Sequence, residues 1–239
     1  MDKIIDISNS KSKIFQNLLK YKAGDKEEGI FLAEGEDMFD EAYKSSSLLA
    51  TIVPNIYDKR YVTKKTYHLK DELYRQLSSY KSLPKVICMC KKKMSDISSL
   101  GEKAIYLDGI QDPGNLGTII RTALAFSYSS ICLSYDCVSP YNSKVIQSSK
   151  GAIFHLPIIK EKLINIKKLN YNIFITSLDG EDEKNILSLP SKSILVFGNE
   201  GHGVKKENLS LGRKIKIEMS GIDSLNVAVS ASILMYRFK

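Results

Sequence analysis

The alternation of short apolar runs with segments of helical periodicity constrains the fold of this 239-residue chain more than any other feature. A helical KSKIFQNLLKYK is followed by a first series, which reads IFLAEG, EDMFDEAYKSS, LLATIVP, KDELYRQLSS and KVICMC. A second series starts at Ala104 with AIYLDG, NLGTIIRTALAF and SICLSY, and ends with SILVFG, KIKIEM and the helical SLNVAVSASILMYRF. Such alternation is typical of α/β folds with a parallel sheet. We therefore predict an α/β architecture, with Asp223 or Ser224 capping the last helix.

The segment KKKMSDISSLGEK separates the two series and has the charge, serine and glycine content of a linker. It divides the chain into an expected small α/β domain at 1–95 and a second α/β domain at 103–239. In open α/β sheets, ligands bind at the carboxyl ends of the strands. The loops that follow the strands of the second domain are therefore the expected functional region.

The charge of the chain points to a polyanionic partner. The formal net charge is +8 and the pI is near 9.1. Residues 1–103 hold 19 basic and 15 acidic side chains and residues 104–239 hold 16 and 12, so each part contributes +4. A basic chain of this kind is attracted to nucleic acid, although a lysine-rich solvated surface would give the same count.

Membrane insertion and secretion are not expected. No stretch approaches the ~18 consecutive apolar residues that span a bilayer. The opening MDKIIDISNS lacks the basic-then-apolar pattern of a secretory signal. We therefore expect a cytoplasmic protein with no membrane partner.

The four cysteines indicate neither a disulfide framework nor a metal site. Their spacings, C-x-C and C-x4-C, lack the C-x-x-C pairing that zinc sites favour, and the three histidines add no ligand-spaced partner. All lie in apolar, strand-like runs: Cys88, Cys90, Cys132 and Cys137. We expect buried, structural thiols and no metal.

Three strand-to-helix junctions carry polar residues. In LDGIQDPGNLGTIIRT, Asn115 is placed to cap the helix. Arg121 follows six residues later, and from this segment alone it could equally be a solvated surface residue of the helix. In SILVFGNEGHGV, the three glycines permit positive φ and close backbone approach to a ligand, and Glu200 favours a ligand with a positive centre. The third junction, KIKIEMSGIDSLNVAVSAS, combines small polar side chains with a helix start.

Taken together, NLGTIIRT, LVFGNEGHG and IEMSGIDSLNVAVSA resemble, in this order, the three signature motifs of the SpoU (TrmH-type) RNA ribose 2'-O-methyltransferases of the SPOUT superfamily. The segment FQNLLKYKAGDKEEGIFLAEGEDMFDEA is similar to the start of the family's substrate-binding domain, which resembles certain ribosomal RNA-binding proteins. The resemblance implies a parallel sheet with a carboxyl-terminal trefoil knot, S-adenosylmethionine as the cofactor and an obligate homodimer.

The resemblance also assigns roles to residues at matching motif positions. The positions that match the catalytic residues are Asn115, Arg121, Glu200, Ser224 and Asn226. The positions that match cofactor contacts are Ser177, Gly198, Gly201, Ile217, Met219 and Leu225. In the family, the arginine is described as the base or activator of the 2'-hydroxyl. Because arginine holds its proton tightly, we favour a role for Arg121 in orienting the hydroxyl or the adjacent phosphate.

The chain departs from the family pattern at three places. Glu218 stands where a proline is usual, Ser127 stands where a glycine often follows the first helix, and the stretch from Ile217 to Leu225 is one residue shorter than in common members. The shorter stretch affects the cofactor contacts expected between Met219 and Asp223.

Three functions are consistent with these motifs. The first is a 2'-O-methyltransferase acting on ribosomal RNA, which the amino-terminal domain favours because members that act on transfer RNA often lack it. The second is the same enzyme acting on transfer RNA. The third is a non-catalytic RNA-binding assembly factor with a vestigial cofactor pocket, against which the intact motif residues argue.

Overall fold

The computed structural model describes residues 3–23, 29–222 and 224–239, apart from the side chain of Met94. The strands are β1 (Lys3–Ile7), β2 (Ile30–Glu34), β3 (Leu48–Val53), β4 (Lys65–Leu69), β5 (Ile87–Lys91), β6 (Met94–Ser95), β7 (Lys103–Asp108), β8 (Ser130–Leu133), β9 (Ile158–Lys160), β10 (Asn172–Asp182), β11 (Ser193–Gly198) and β12 (Arg213–Lys216). The helices are α1 (Lys13–Ala23), α2 (Glu36–Lys44), α3 (Asp71–Leu77), α4 (Pro113–Ala125), α5 (Ser143–Ser149), α6 (Leu163–Lys167) and α7 (Val227–Arg237).

The chain forms two compact units, the first of which comprises the described residues of 1–92 and Tyr141–Phe154. Its five strands are ordered β1-β4-β3-β5-β2, with β1, β4 and β3 parallel and β5 antiparallel to both β3 and β2. Phe15 and Leu18 of α1, three positions apart, are buried and join a core with Ile52 of β3 and Leu77 of α3. The amphipathic pattern of the helices thus builds the core of this unit.

The second unit comprises Lys93–Pro140 and His155–Lys239. Its seven strands are ordered β12-β10-β11-β7-β8-β9-β6, and every adjacent pair is parallel. The central strands β8 and β11 are buried at every position, as near-continuous apolar runs predict for interior strands of a parallel sheet. Because the strands are parallel, their carboxyl ends meet at one edge of the sheet.

The α/β architecture and the parallel sheet of the second unit are confirmed, but both predicted helix caps are wrong. Helix α4 is capped by Asp112, whose carboxylate accepts the backbone N–H of Asn115, so Asn115 lies inside the first turn. Helix α7 is capped by Asn226. Ser224 lies ahead of that cap, and Asp223 lies outside the described residues.

The strands near the predicted site differ in length from the sequence pattern. β12 ends at Lys216, so Ile217 and Met219 are not in a strand. β10 is longer than expected, and its register with β12 shifts between Thr176 and Glu181. The segment from Ser177 to Gly180 therefore bulges from the regular ladder.

The four cysteines are buried free thiols, as predicted. Burial raises the pKa of each of them: Cys88, Cys90, Cys132 and Cys137. Such thiols are unreactive near neutral pH. Within the described ranges, no helix combines the length and apolar character needed to cross a bilayer.

Candidate functional site

A pocket of about 600 Å³ opens at the edge of the second unit where the carboxyl ends of β10, β11 and β12 meet. Four stretches of chain, within 176–179, 197–204, 215–219 and 224–230, supply its walls together with Leu209. Most of the predicted site residues line it: Ser177, Gly198, Glu200, Gly201, Ile217, Met219, Ser224 and Leu225. The structure thus brings these eight together, whereas Asn115, Arg121 and Asn226 are outside the lining.

The glycine loop after β11 is closed by reciprocal backbone hydrogen bonds between Asn199 and Gly203, with N···O distances of 3.0 and 2.9 Å. The side chain of Asn199 also accepts the N–H groups of Gly201, at 2.9 Å, and His202, at 3.3 Å. Of the three glycines, Gly203 alone has a left-handed φ, +68°. These bonds hold the loop as a tight turn over the pocket.

Gly198 is required for a reason that the sequence did not reveal. A Cβ at this position would lie 2.0 Å from the carbonyl carbon of Gly203 and 2.1 Å from the nitrogen of Val204. Its φ is outside the left-handed region. The positive φ that the glycines of this loop permit is therefore not adopted at Gly198, and the close approach that this glycine allows is between two parts of the loop itself.

A chain of side-chain amides joins the three motif segments. Asn226 uses its Oδ1 to cap α7, accepting the N–H groups of Ala228 and Val229. Its Nδ2 donates to Oδ1 of Asn115 at 3.0 Å, and Nδ2 of Asn115 donates to Oε1 of Glu200 at 2.9 Å. Because each amide has one donor end and one acceptor end, the cap at α7 fixes the direction of the whole chain. Glu200 is thereby held as an acceptor at the pocket wall.

Arg121 lies on the exposed side of α4, two turns after the first turn that holds Asn115. Its guanidinium has no hydrogen bond or ion pair to another described side chain. A permanently charged guanidinium without a partner in the protein can bind an anion or a hydroxyl of a ligand. Its catalytic role stays a prediction.

The bulged segment of β10 adds residues that the motifs did not mark. The hydroxyl of Ser177 donates to Asp179, which also accepts a hydrogen bond from Nζ of Lys214 at 2.7 Å. The hydrogen bonds from Lys214 and Ser177 lower the pKa of Asp179 below its ordinary value. Asp179 and His202 line the pocket as well. The sequence offered only one signal for them, which is their place close behind the apolar runs of β10 and β11.

Two of the departures from the family pattern have a structural account. Ser127 has a φ of +60°, a left-handed conformation that glycine adopts without steric cost. Glu218 is exposed and accepts a hydrogen bond from Nζ of Lys184 at 2.9 Å. Neither position lines the pocket.

The site has the features of an organic ligand pocket. Its volume is in the range typical of such pockets, and Phe197, Val204, Ile215 and Val227 provide apolar surface beside the polar strand ends. In the described part of the chain, no three His, Cys, Asp or Glu side chains are grouped to hold a metal ion.

Comparison with known proteins assigns the chain to a family. Residues 102–236 match the model of the SpoU rRNA Methylase family. The chain is 28% identical, over the full length of both proteins, to the 23S rRNA (guanosine(2553)-2'-O)-methyltransferase RlmP of Bacillus subtilis. It is 32% identical to the 23S rRNA (guanosine-2'-O-)-methyltransferase RlmB of Xylella fastidiosa over 55% of this chain and 56% of that protein.

Solved structures show the same fold. The AdoMet-bound rRNA methyltransferase from Sinorhizobium meliloti superposes with a TM-score of 0.88 at 21% identity and covers 98% of this chain and 97% of its own. The family model spans more than half of the chain and includes all three motifs, so the resemblance seen in the sequence is confirmed. The chain belongs to the SpoU rRNA methylase family.

Proposed function

We propose that the protein transfers a methyl group from S-adenosylmethionine to a ribose 2'-hydroxyl of ribosomal RNA, which yields the 2'-O-methylated ribose, S-adenosylhomocysteine and a proton. The observation that carries this proposal is the hydrogen-bonded chain from Asn226 through Asn115 to Glu200, which joins the three motifs at one pocket. Family membership and the names of RlmP and RlmB, both 2'-O-methyltransferases of 23S rRNA, support the same reaction and substrate.

The pocket suits S-adenosylmethionine, which combines an adenosine, an amino-acid end and a sulfonium cation. Phe197, Ile217 and Leu225 would provide apolar surface for the cofactor, and backbone groups at the ends of the strands would provide polar partners. The carboxylate of Glu200 is exposed and makes no ion pair with a described basic side chain, so it can interact with a positively charged group of a ligand. The bound cofactor supplies an electrophilic methyl group.

The chain's own contribution is orientation. In-line transfer requires the hydroxyl oxygen to be held roughly 3–3.5 Å from the methyl carbon, and such positioning lowers the barrier substantially. Glu200, fixed by Asn115, offers an acceptor to the ribose, and Arg121 offers a planar set of donors to the hydroxyl or the neighbouring phosphate. Ser224 adds a hydroxyl at the pocket wall.

We assign RNA binding to the first unit. Basic side chains cluster around the start of β4: Lys59, Arg60, Lys64 and Lys65, to which Lys3 is added because it pairs with Lys65 across the β1–β4 ladder. All five are exposed. Exposed lysines and arginines that contact phosphates displace counterions, which favours binding to RNA. We call these five residues the basic patch.

We further propose a homodimer and a carboxyl-terminal trefoil knot. Helix α7 presents Val229, Ile233 and Tyr236, spaced i, i+4 and i+7, which are 47%, 38% and 58% exposed. Leu124 of the adjacent α4 is also exposed, and Phe126 packs edge-on against Tyr236. An apolar stripe of this kind on a monomer is typical of a subunit interface.

A cytoplasmic location accords with the proposed substrate.

The direct test is transfer of labelled methyl from S-adenosylmethionine to purified RNA. We expect label in 23S rRNA, at a nucleotide that resists alkaline cleavage because its 2'-hydroxyl is blocked. Label in transfer RNA alone would favour the alternative substrate. Cofactor and RNA binding without transfer to any RNA would favour the non-catalytic assembly factor.

A further inference from the structure

Beneath the glycine loop lies a buried carboxylate that the catalytic motifs do not use. Asp108, the last residue of β7, is completely buried. Its Oδ2 accepts the backbone N–H of Lys205 at 2.9 Å and Nδ2 of Asn208 at 2.8 Å. Its Oδ1 has no hydrogen-bond partner among the described residues and lies 3.4 Å from Nζ of Lys205. A buried carboxylate of this kind requires a nearby cation.

The ammonium of Lys205 bridges to a second carboxylate. Its Nζ donates to Oδ1 of Asp136 at 2.9 Å, and the same oxygen accepts the hydroxyl of Ser134 at 2.6 Å. The hydrogen bond to Asp136 raises the pKa of Lys205. Lys205 therefore lies between the carboxylate of Asp108, at the end of β7, and that of Asp136, which follows β8.

This cluster ties together the loops after three adjacent parallel strands. The backbone N–H of Gly109 donates to Ser134 at 2.8 Å, and the side chain of Asn199 donates to the carbonyl of Gly109 at 2.8 Å. Lys205 directly follows Gly203 and Val204, which line the pocket. The glycine loop is consequently anchored at its start by Asn199 and at its end by Lys205.

We infer that Asp108 and Lys205 are positioning residues that fix the glycine loop in its binding geometry before the cofactor arrives. This inference rests on the proposed function, because it assigns the pocket to S-adenosylmethionine. A loop that is already ordered loses less conformational entropy when the ligand binds. Loss of the anchor should therefore weaken cofactor binding more than it slows the transfer step at saturating cofactor.

The test compares Lys205→Met with Lys206→Met in the full-length protein. Lys206 is the exposed neighbour and does not line the pocket. We expect Lys205→Met to weaken S-adenosylmethionine binding, measured by calorimetry, by about tenfold. Single-turnover methylation at saturating cofactor and RNA affinity should stay near the wild-type values, and Lys205→Arg should recover most of the cofactor affinity.

Amide hydrogen exchange in the ligand-free protein gives an independent readout. Exchange at residues 199–204 should accelerate in Lys205→Met and remain unchanged in Lys206→Met. If Lys205→Met fails to fold, Asp136→Asn, which alters an exposed carboxylate, should show the same loop-specific acceleration. A lower melting temperature with unchanged cofactor affinity and loop exchange would overturn the inference. A wild-type protein that binds no S-adenosylmethionine would refute the proposed function, and loop exchange would still decide the anchoring role.

Discussion

At the residue scale, the side-chain amide of Asn115 holds Glu200 in place by donating a hydrogen bond to its Oε1 atom. Asn115 receives a hydrogen bond from Asn226 and donates one to Glu200, so it needs both ends of an amide. A carboxylate in the same place has no donor. Position 115 therefore requires an amide, and a side chain of the same size without a donor cannot replace it.

Asn115→Asp tests that constraint with little change in shape. The variant would place a second negative charge beside Glu200, and the two carboxylates would repel each other. We expect methyl transfer to fall by about 10²-fold, because the acceptor is no longer held in place. Cofactor affinity should fall less than the rate of transfer, since Asn115 itself does not line the pocket although its partner Glu200 does. Single-turnover kinetics with calorimetry checks both parts, and near-normal transfer would remove Asn115 from the site.

Arg121→Ala distinguishes a functional arginine from a solvated helix residue. Alanine is the better helix former, so the variant should fold and dimerise normally. If Arg121 orients the hydroxyl or its phosphate, turnover at saturating cofactor should fall by about 10²-fold or more. Arg121→Lys should rescue poorly, because an ammonium cannot reproduce the planar guanidinium. Wild-type turnover in the alanine variant would exclude a catalytic role, and lost cofactor binding would indicate a structural one.

At the element scale, the local pattern predicted the strands that are apolar runs and the long helices, but it missed strands that are short or mix polar with apolar residues. β7, β8 and β11 are continuous apolar runs, and their burial follows from that composition. β1 and β4 were missed because KIIDI and KTYHL mix polar and apolar residues, and β9 because it has only three residues. Pairing with a distant strand, which local sequence does not encode, stabilises each of them.

Most residues of the candidate site could also be predicted from the sequence. The resemblance to the family motifs marked eight of its residues, and they lie in or after strands of one parallel sheet, whose topology brings these segments to one edge. The anchor at Asp108 was not predictable, because it joins residues about 100 positions apart. The choice of Asn226 over Ser224 as the α7 cap also depends on tertiary contact, since its amide completes the bond to Asn115.

Gly198→Val tests the packing of the glycine loop. A side chain here would collide with the backbone of Gly203 and Val204, which cannot move without opening the loop. We expect S-adenosylmethionine binding to be lost while the remaining fold persists. Calorimetry measures the binding, and circular dichroism with thermal melting controls for folding. Retained affinity in a folded variant would show that the loop tolerates a different path.

At the scale of the whole molecule, our proposal assigns RNA binding to the first unit and methyl transfer to the second. Both parts of the chain are basic, yet the basic patch of the first unit is distinct in sequence from the pocket of the second. Electrostatic affinity for RNA and the alignment of one ribose can therefore be altered independently.

Neutralising four residues of the basic patch, Lys59, Arg60, Lys64 and Lys65, should reduce the dependence of RNA affinity on salt. The slope of log affinity against log salt should flatten by roughly 0.7 for each RNA phosphate that the variant no longer neutralises. The matched control neutralises four exposed lysines of the second unit, Lys162, Lys167, Lys168 and Lys192. A slope that changes only in the control would place the RNA face on the second unit.

A map of ribose 2'-O-methylation in ribosomal RNA from cells that lack the gene tests the proposed methyl transfer most directly. We expect that one 23S rRNA nucleotide loses its 2'-O-methyl group, that the wild-type gene restores it and that the Arg121→Ala gene does not. An unchanged ribosomal RNA map, or a modification lost only from transfer RNA, would show that this protein does not methylate ribosomal RNA.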